Sequence, residues 1–369
     1  MILKTDCKHF PGDKPCHQNK VYGTICTDCS EYSPIKFKII IVKFDAIGDV
    51  LRTTSILHSI KNKYPNSYII WLTKKNASEI FINNNLVDEV LFSDNNETIA
   101  RLQTERFNLL IHPDASPVSA AYASLIKAEI KLGFILDEKG KVVTANSEAE
   151  EWFEMGAFDQ MKKANSKSYQ KIIHEIAGLN FENGEIIVKL TENEKAFRDK
   201  FRIDNNLDKY KTIIGLNTGA GSRWQLKQWR LEGFIEVISE LQKNPNIQIL
   251  LYGGSEEIER NQKLKDLFPS IIDTGSENNL RQFFALVDLS DIFITGDTMG
   301  LHAATALKKH VIAFFGPTSS HEIEDYGRVI KIQPELDCLV CYKPRCDFKP
   351  NCMEMISSEV ILQEINKLI

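Results

Sequence analysis

The sequence predicts an α/β protein made of two successive halves, each a parallel sheet flanked by helices. Short β-branched runs alternate with stretches of helical periodicity, first over residues 38–111 and again over residues 212–315. This alternation is typical of parallel sheets, because each strand is connected to the next by a helix that packs on the sheet face. The length of 369 residues agrees with two or three domains.

Composition excludes several classes of protein. Hydrophobic residues make up 43% of the chain and charged residues 26%, an ordinary globular balance. The net charge of −5 argues against a general nucleic-acid binder. No apolar run reaches the roughly 18 residues that span a bilayer, and residues 1–8 lack the apolar region of a secretory signal. We therefore expect a cytoplasmic protein, and peripheral contact with the inner face of the membrane stays open.

The predicted elements follow one another in a regular order. Strands of the first half are predicted at 38–43, 68–72, 87–92 and 107–111, with helices over 50–60 and 77–83. A charged connection at 137–168, with one or two helices, leads to helices at 169–179 and 194–201. Strands of the second half are predicted at 212–217, 247–252, 292–295 and 311–315, with helices at 232–241, 256–267 and 280–286. The chain therefore divides into residues 1–36, 37–190, 191–335 and 336–369.

All eight cysteines lie near the two ends of the chain. Four come early, at Cys7, Cys16, Cys26 and Cys29, and four come late, at Cys338, Cys341, Cys346 and Cys352. Each set contains one C-x-x-C pair, a spacing that lets two thiolates reach one metal ion from a tight turn. We interpret both sets as structural metal-binding loops, with zinc as the first candidate and iron or an iron–sulfur cluster as the second. Disulfides or free thiols remain the alternative.

Polar and small residues follow the predicted strands of both halves. Asp49 comes after the first strand and could act as a general base or cap a helix. The loop Thr218-Gly219-Ala220-Gly221 lets backbone amides approach a phosphate, and Lys227 could neutralise its charge. These positions lie at the strand ends where ligands of such folds bind.

Two later loops repeat this arrangement. Glu256 and Glu257 follow a Gly-Gly turn and could contact a ribose or start a helix. Asp297 and Thr298 open a helix whose first turn is a natural anion site, and His302 lies on that helix, where a lone histidine is more often structural than catalytic.

Four segments together resemble the heptosyltransferase-like glycosyltransferases, family 9. They are, in the order of that family, KFDAIGDVLRTT (43–54), NTGAGSRWQLKQW (217–229), GDTMGLHAATAL (296–307) and FFGPT (314–318). The resemblance implies a GT-B fold, in which two Rossmann-like domains face a central cleft. It also implies roles: Asp49 as the catalytic base, Lys227 on the donor phosphates, and donor contacts from Thr218, Gly219, Ala220, Gly221, Glu257 (or Glu256), Asp297, Thr298, Met299, Gly300 and His302.

One residue departs from the family pattern, because Met299 occupies the place of the usual glycine and Gly300 follows it. The late cysteines resemble a feature of some relatives that modify proteins and hold iron. That resemblance raises iron as an alternative to zinc.

The resemblance implies an inverting transfer from a nucleotide-diphospho-sugar, ADP-heptose above all, to a hydroxyl of a glycan, a lipid-linked core or a protein. The chain contains no D-x-D pair, so we expect no catalytic metal. Acceptor contacts are expected around Arg52, Thr53, His112, Pro113 and Asp114. Competing hypotheses are a sugar-nucleotide-binding protein without transferase activity, a metal-dependent redox module and a sugar-nucleotide epimerase. A homo-oligomer stays open.

Overall fold

The computed structural model describes residues 2–182 and 184–369, and within them twelve strands form two six-stranded sheets. The first sheet has the order β3-β2-β1-β4-β5-β6 and the second β12-β11-β10-β7-β8-β9. All described pairings are parallel except the last of the first sheet, between β5 and β6. Both orders are those of a doubly wound Rossmann fold, so the predicted two-sheet α/β class is confirmed.

After the short helix α1 (His17–Tyr22), the first half contains a complete doubly wound unit. Its elements are β1 (Phe37–Val42), α2 (Ile47–Thr53), α3 (Ile56–Lys63), β2 (Ser67–Thr73), β3 (Glu89–Phe92), α4 (Asn96–Thr104), β4 (Arg106–His112), α5 (Pro117–Leu125), β5 (Lys127–Leu136), β6 (Val142–Thr144), α6 (Glu150–Ala157), α7 (Asp159–Ala164) and α8 (Tyr169–Ile176).

The second half repeats the plan. Its elements are α9 (Glu192–Asp204), β7 (Thr212–Asn217), α10 (Leu231–Leu241), β8 (Ile247–Tyr252), α11 (Ile258–Leu267), β9 (Ile272–Asp273), α12 (Leu280–Val287), β10 (Ile292–Gly296), α13 (Met299–Ala306), β11 (His310–Phe314), β12 (Val329–Ile332) and α14 (Ser358–Asn366). Among the described residues, none of these helices combines the length and the apolar character needed to cross a bilayer.

The central strands form because their residues can be buried on both faces. In β1 the run from Ile39 to Val42 is completely buried, and β7 and β8 are buried along their whole length. Continuous β-branched and leucine runs are typical of strands covered by helices on both sides. Each sheet has its switch point beside its first strand, where loops leave in opposite directions and a ligand can enter.

The two halves share a hydrophobic core. Ile39 and Leu51 of the first half belong to one buried cluster with Phe284 and Ala303 of the second. Arg281 lies beside this seam, buried, with its guanidinium 2.7 Å from Glu194 and 3.3 Å from the Glu79 carbonyl of the first half. The cleft between the halves therefore has a closed, packed base.

The two cysteine-rich ends are built differently. Among the described residues 2–36, none is buried, and a bridge between Cys7 and Pro34 closes the segment on itself. In contrast, Cys352 and Ile356 belong to the core of the second half, and the Trp229 indole N–H donates to the Ile356 carbonyl (3.0 Å). The proposed division at residues 36, 190 and 335 stays a prediction.

Several sequence expectations need correction. The helix predicted over 50–60 is two helices, α2 and α3, and the one over 77–83 is a 3₁₀ segment, Lys75–Phe81. The prediction missed α4, α5, β5, β6, β9 and β12. The residues of β5 and β6 are only partly covered, so their pattern is weaker than that of the central strands.

Candidate active site

A cleft of about 590 Å³ opens between the carboxyl ends of the two sheets. The first half contributes the loop after β1, the start of α2 and one residue after β2, and the second half contributes the loops after β7, β10 and β11 and one residue after β12. Both walls are polar: they include Asp49, Arg52 and Asn76 from the first half and Lys227, Asp297, Thr298, Met299, His302, Glu322 and Tyr342 from the second. The sequence therefore brings its predicted reactive residues together in one space.

Asp49 lies in the first turn of α2 and has two partners. One carboxylate oxygen accepts the Ala46 N–H (3.1 Å), and the other is 2.8 Å from the Arg52 guanidinium. Burial alone would raise the pKa of Asp49, but the positive charges of Arg52 and Lys43 outweigh burial and hold the pKa below its usual range. Asp49 is thus an oriented, ionised carboxylate that caps its helix and also borders the cleft.

Lys227 and Asp297 form the corresponding pair on the opposite wall. The Lys227 ammonium is 2.7 Å from the Asp297 carboxylate, and it also lies 5.5 Å from the centre of the Trp224 ring. Burial would raise the pKa of Asp297, but the Lys227 charge outweighs it and lowers the pKa. Asp297 is therefore ionised, and its carboxylate holds the Lys227 side chain at the edge of the cleft.

The start of α13 lies beside this pair. The Thr298 hydroxyl accepts the Gly300 N–H (3.1 Å) and an N–H of the Asn217 side chain (3.0 Å). A Cβ on Gly300 would lie 3.0 Å from that Asn217 nitrogen, so a side chain fits poorly here. Met299 lies one position earlier and packs against the hydrophobic core that the two halves share, which explains why this position accepts a large residue.

His302 is buried on the same helix and faces the first half. A Cβ on Gly48 would lie 2.9 Å from the His302 ring, so glycine at position 48 allows the two halves to approach. Burial, together with the nearby Arg52 charge, lowers the pKa of His302 to about 4. The imidazole is therefore neutral at pH 7, and it can donate or accept a hydrogen bond in the cleft.

A second recess, of about 460 Å³, adjoins the cleft and shares Thr298 and Met299 with it. Its lining includes Gly219, Ala220, Gly221, Glu257, Gly300 and the ring of Phe283. One Glu257 oxygen accepts the Gly254 N–H (2.8 Å), and the other is buried with no partner in the described part of the chain. The second half therefore offers a small-residue loop, an acidic acceptor and an apolar wall in one place.

The sequence matches glycosyltransferase family 9 (heptosyltransferase) over residues 97–351. The chain belongs to glycosyltransferase family 9. It is 28% identical over 178 residues to lipooligosaccharide heptosyltransferase 2 of Campylobacter jejuni, a match that covers 47% of this chain and 56% of that relative.

Solved structures of a family 9 glycosyl transferase and of a heptosyltransferase share the fold. The Veillonella parvula family 9 glycosyl transferase superposes with a TM-score of 0.71 at 16% identity, covering 90% of this chain and 97% of that one. The ADP-heptose lipopolysaccharide heptosyltransferase II of Escherichia coli gives 0.65 at 16% identity, covering 90% and 98%. At this identity the likeness shows the fold alone.

Within this family 9 chain, some predicted contacts lie elsewhere. Thr218 is buried and donates to Asn261 (2.6 Å), so its side chain points away from the recess. Glu256 is exposed and does not line the recess, whereas Glu257 does.

Of the five residues expected to contact the acceptor, only Arg52 lines the cleft. Thr53 donates to the Asp49 carbonyl (2.6 Å), His112 bonds to the Phe134 carbonyl (2.6 Å), and Asp114 lies 3.5 Å from Lys43. Sequence reasoning missed Glu322 and Tyr342. The sequence signals that could have found them are the F-G-P-T loop, which precedes Glu322, and the C-x-x-C-Y segment, which ends at Tyr342.

The expected metal sites are not formed in the structure. Cys7, Cys16, Cys26 and Cys29 line one cavity, and Cys338, Cys341, Cys346 and Cys352 line another, as free thiols. Within residues 2–182 and 184–369, however, no three His, Cys, Asp or Glu side chains are arranged to hold one metal ion. Burial and the neighbouring thiols raise the pKa of Cys352 to about 11. Each set is thus gathered around a cavity, and its thiols do not converge.

Proposed function

We propose that this protein is an inverting glycosyltransferase that transfers heptose from ADP-heptose to a hydroxyl of a lipid-linked core glycan. The observation that carries the proposal is the placement of an ionised Asp49 and a Lys227–Asp297 pair on opposite walls of one cleft. Family membership and the C. jejuni relative support heptose as the sugar. The E. coli neighbour, described as an ADP-heptose enzyme, supports the donor.

The second recess is the proposed nucleotide site. The unpartnered Glu257 oxygen can accept hydrogen bonds from ribose hydroxyls, and Phe283 offers an apolar surface to a base. The diphosphate would then lie at the start of α13, where the Gly300 backbone and Lys227 supply positive potential. Because Thr298 and Met299 border both spaces, the sugar would extend into the cleft.

In the proposed step the acceptor oxygen attacks the anomeric carbon and gives its proton to Asp49. The bond between that carbon and the diphosphate oxygen breaks, and its electron pair leaves with ADP. Lys227 stabilises the charge that develops on the diphosphate. Arg52 keeps Asp49 ionised and oriented, since its guanidinium is 2.8 Å from the carboxylate. Attack from the face opposite the leaving group inverts the anomeric configuration.

Calorimetry with ADP, UDP, GDP and CMP, with Lys227→Ala as the comparison, tests the donor assignment. We expect selective ADP binding that the substitution weakens. Transfer is then measured with ADP-heptose and a core glycan from a strain that lacks the corresponding heptosyltransferase, in the presence of EDTA. ADP binding without acceptor-dependent ADP release would favour a binding protein that lacks transferase activity. Selectivity for another nucleotide would contradict ADP-heptose.

We also propose that the two cysteine sets bind structural metal ions when metal is supplied. Four thiols surround each cavity, and residues 2–36 have no buried residue to stabilise them. Small segments without a core usually need metal or disulfides to hold their structure. Metal analysis of the reduced full chain tests this: less than one ion per chain, with all thiols freely titratable, would contradict it.

A further inference from the structure

Two cleft residues, Glu322 and Tyr342, have no part in the proposed chemistry. Glu322 lies in the segment after β11, and Tyr342 lies in the late cysteine-rich segment, between Cys341 and Cys346. The Tyr342 hydroxyl donates to one Glu322 carboxylate oxygen at 2.6 Å. Both residues line the same cleft as Asp49 and Lys227.

Tyr342 is firmly held by its backbone. Its N–H donates to the Pro317 carbonyl (2.8 Å), and the Val340 N–H donates to the Gly316 carbonyl (3.0 Å). Val340 and Tyr342 have φ values of +58° and +49°, a conformation that is unusual for residues other than glycine and persists where surrounding contacts impose it. The Lys162 ammonium of α7 lies 5.1 Å from the centre of the Tyr342 ring. The cysteine-rich segment therefore presents this hydroxyl to the cleft in a defined position.

Glu322 is anchored from the other side. Its carbonyl accepts the N–H of Tyr169, the first residue of α8, at 2.9 Å. The Arg52 guanidinium lies 3.7 Å from the centre of the Tyr169 ring, so the same tyrosine fixes the arginine that pairs with Asp49. Glu322 is thus placed at the junction of the two halves, next to the residues of the proposed reaction.

The Glu322 carboxylate has capacity for a ligand. In the described part of the chain, Tyr342 is its one hydrogen-bond partner, and no cation lies within 4 Å of it. Burial raises the pKa of Glu322, and Asp297 and Asp49 add to this effect, although Arg52 and the Tyr342 hydroxyl oppose it. A negative charge here repels a diphosphate, whereas neutral hydroxyl donors suit a carboxylate, which only accepts hydrogen bonds when ionised.

We propose that Glu322, oriented by Tyr342, binds a hydroxyl group of the sugar at the reaction centre. Glu322 makes the contact, and Tyr342 acts as a positioning residue supplied by the cysteine-rich segment. This inference rests on the proposed transferase function and adds a residue that recognises its substrate. The hydroxyl belongs either to the donor sugar or to the acceptor sugar, and the two are distinguished by experiment.

The test uses the full chain with Glu322→Gln and Tyr342→Phe, and with Glu335→Gln as the matched control at an exposed position. Affinities for ADP and for ADP-heptose are measured by calorimetry, and the KM for donor and for acceptor in the transfer assay. Loss of a charged hydrogen bond to the sugar predicts a roughly tenfold or greater weakening of sugar binding by Glu322→Gln. Tyr342→Phe should give a smaller loss of the same kind, because Glu322 keeps its place but loses the hydroxyl that orients it.

Either of two results supports the proposal. Weaker ADP-heptose binding with unchanged ADP binding assigns the hydroxyl to the donor sugar, and a raised acceptor KM with unchanged donor affinity assigns it to the acceptor. Wild-type affinities and KM values in Glu322→Gln would overturn the proposal, as would equal losses in Glu335→Gln. If the unmodified protein neither binds ADP-heptose nor transfers it, the proposed function itself fails, and this inference fails with it.

Discussion

Two aspartates face one cleft, each beside a cation, but the chain builds the two pairs in different ways. Asp49 and Arg52 are three residues apart on one helix, so their ion pair forms wherever α2 forms. Lys227 and Asp297 are 70 residues apart and follow different strands, so their pair exists only when the second sheet is complete. The first half therefore forms its ion pair within one helix, and the second half forms its ion pair between two loops that its whole sheet brings together.

This difference predicts that the two ion pairs have separate roles, which substitutions can test. Substitutions in the Asp49–Arg52 pair should affect the chemical step, because they leave the second half intact. Substitutions in the Lys227–Asp297 pair and its surroundings should affect donor binding.

The largest effect is expected for Asp49→Asn. Asparagine keeps an oxygen for the Ala46 N–H but cannot accept the acceptor proton, so kcat should fall by about 10²–10⁴-fold. ADP affinity, measured by calorimetry, should stay unchanged. Asp94→Asn, at an exposed position, serves as the control. Near-normal kcat in Asp49→Asn would contradict the role of Asp49 as the base, and with it the proposed difference between the two ion pairs.

Lys227→Ala should weaken ADP binding by roughly tenfold to a hundredfold, the range for a lost hydrogen bond to a charged group. It also leaves Asp297 in the cleft without its cation. Arg52→Ala provides the contrast, since its ADP affinity should match the unmodified protein. Equal weakening in both variants, measured by calorimetry, would mean that the two walls do not have separate roles.

Gly219→Ala should disturb the recess directly. A Cβ at this position would lie 1.9 Å from a Glu257 oxygen, so the carboxylate or the loop must move. Overpacking of this kind costs roughly 1–3 kcal/mol of stability, and ADP affinity should fall as Glu257 is displaced. Gly156→Ala is the matched control, because position 156 lies in α6 with open space around it. Urea unfolding and calorimetry of both variants would show whether the recess tolerates the methyl group.

A smaller effect concerns pH. Burial is the first cause that lowers the pKa values of His112 and His302, in each case to about 4, whereas an unfolded histidine has about 6.5. Between these values the unfolded chain binds more protons, so the free energy of unfolding should rise with pH from 4 to 6.5, by at most about 3 kcal/mol for each histidine.

His302→Gln should remove the contribution of His302 to the rise of unfolding free energy with pH, and exposed His58→Gln is the control.

Asp49 and Asp297 titrate in a different pH range. Their pKa values are lowered in the folded protein, so their contribution is present above about pH 4, the unfolded value, and is lost as pH falls further. Urea unfolding at pH 4, 5, 6 and 7 samples the histidine window alone, because the aspartate window lies below about pH 4. An unchanged slope in His302→Gln would contradict a buried neutral imidazole.

The fold was predictable where burial is complete. Strands β7 and β8 lie where their apolar runs predict them, because a strand with a continuous apolar run is stable where helices cover both faces of the sheet. The break between α2 and α3 was not predictable from periodicity. There the Thr53 and Thr54 hydroxyls donate to the carbonyls of Asp49 and Leu51, and such bonds compete with a continuous helix.

The site was predictable where it depends on the ends of the strands. Asp49, Lys227 and Asp297 follow strands, and strand ends converge in parallel sheets, so their meeting follows from the topology. Glu322 and Tyr342 meet through a turn-rich segment that has no periodic pattern, and their contact depends on the backbone bonds of Val340 and Tyr342. Thr218 lies in the predicted loop, but its hydroxyl donates to Asn261, and the sequence pattern does not specify that side-chain direction.

The buried seam limits how this protein can be recombined. Arg281 of the second half holds Glu194 and also the Glu79 carbonyl of the first half, and Phe284 and Ala303 complete a core that begins at Ile39. A hybrid that takes each half from a different relative would have to inherit both sides of this contact, or it would leave the buried guanidinium paired with Glu194 but without its first-half carbonyl acceptor. Donor and acceptor preferences can therefore be exchanged most safely through the cleft loops, with the seam kept from one parent.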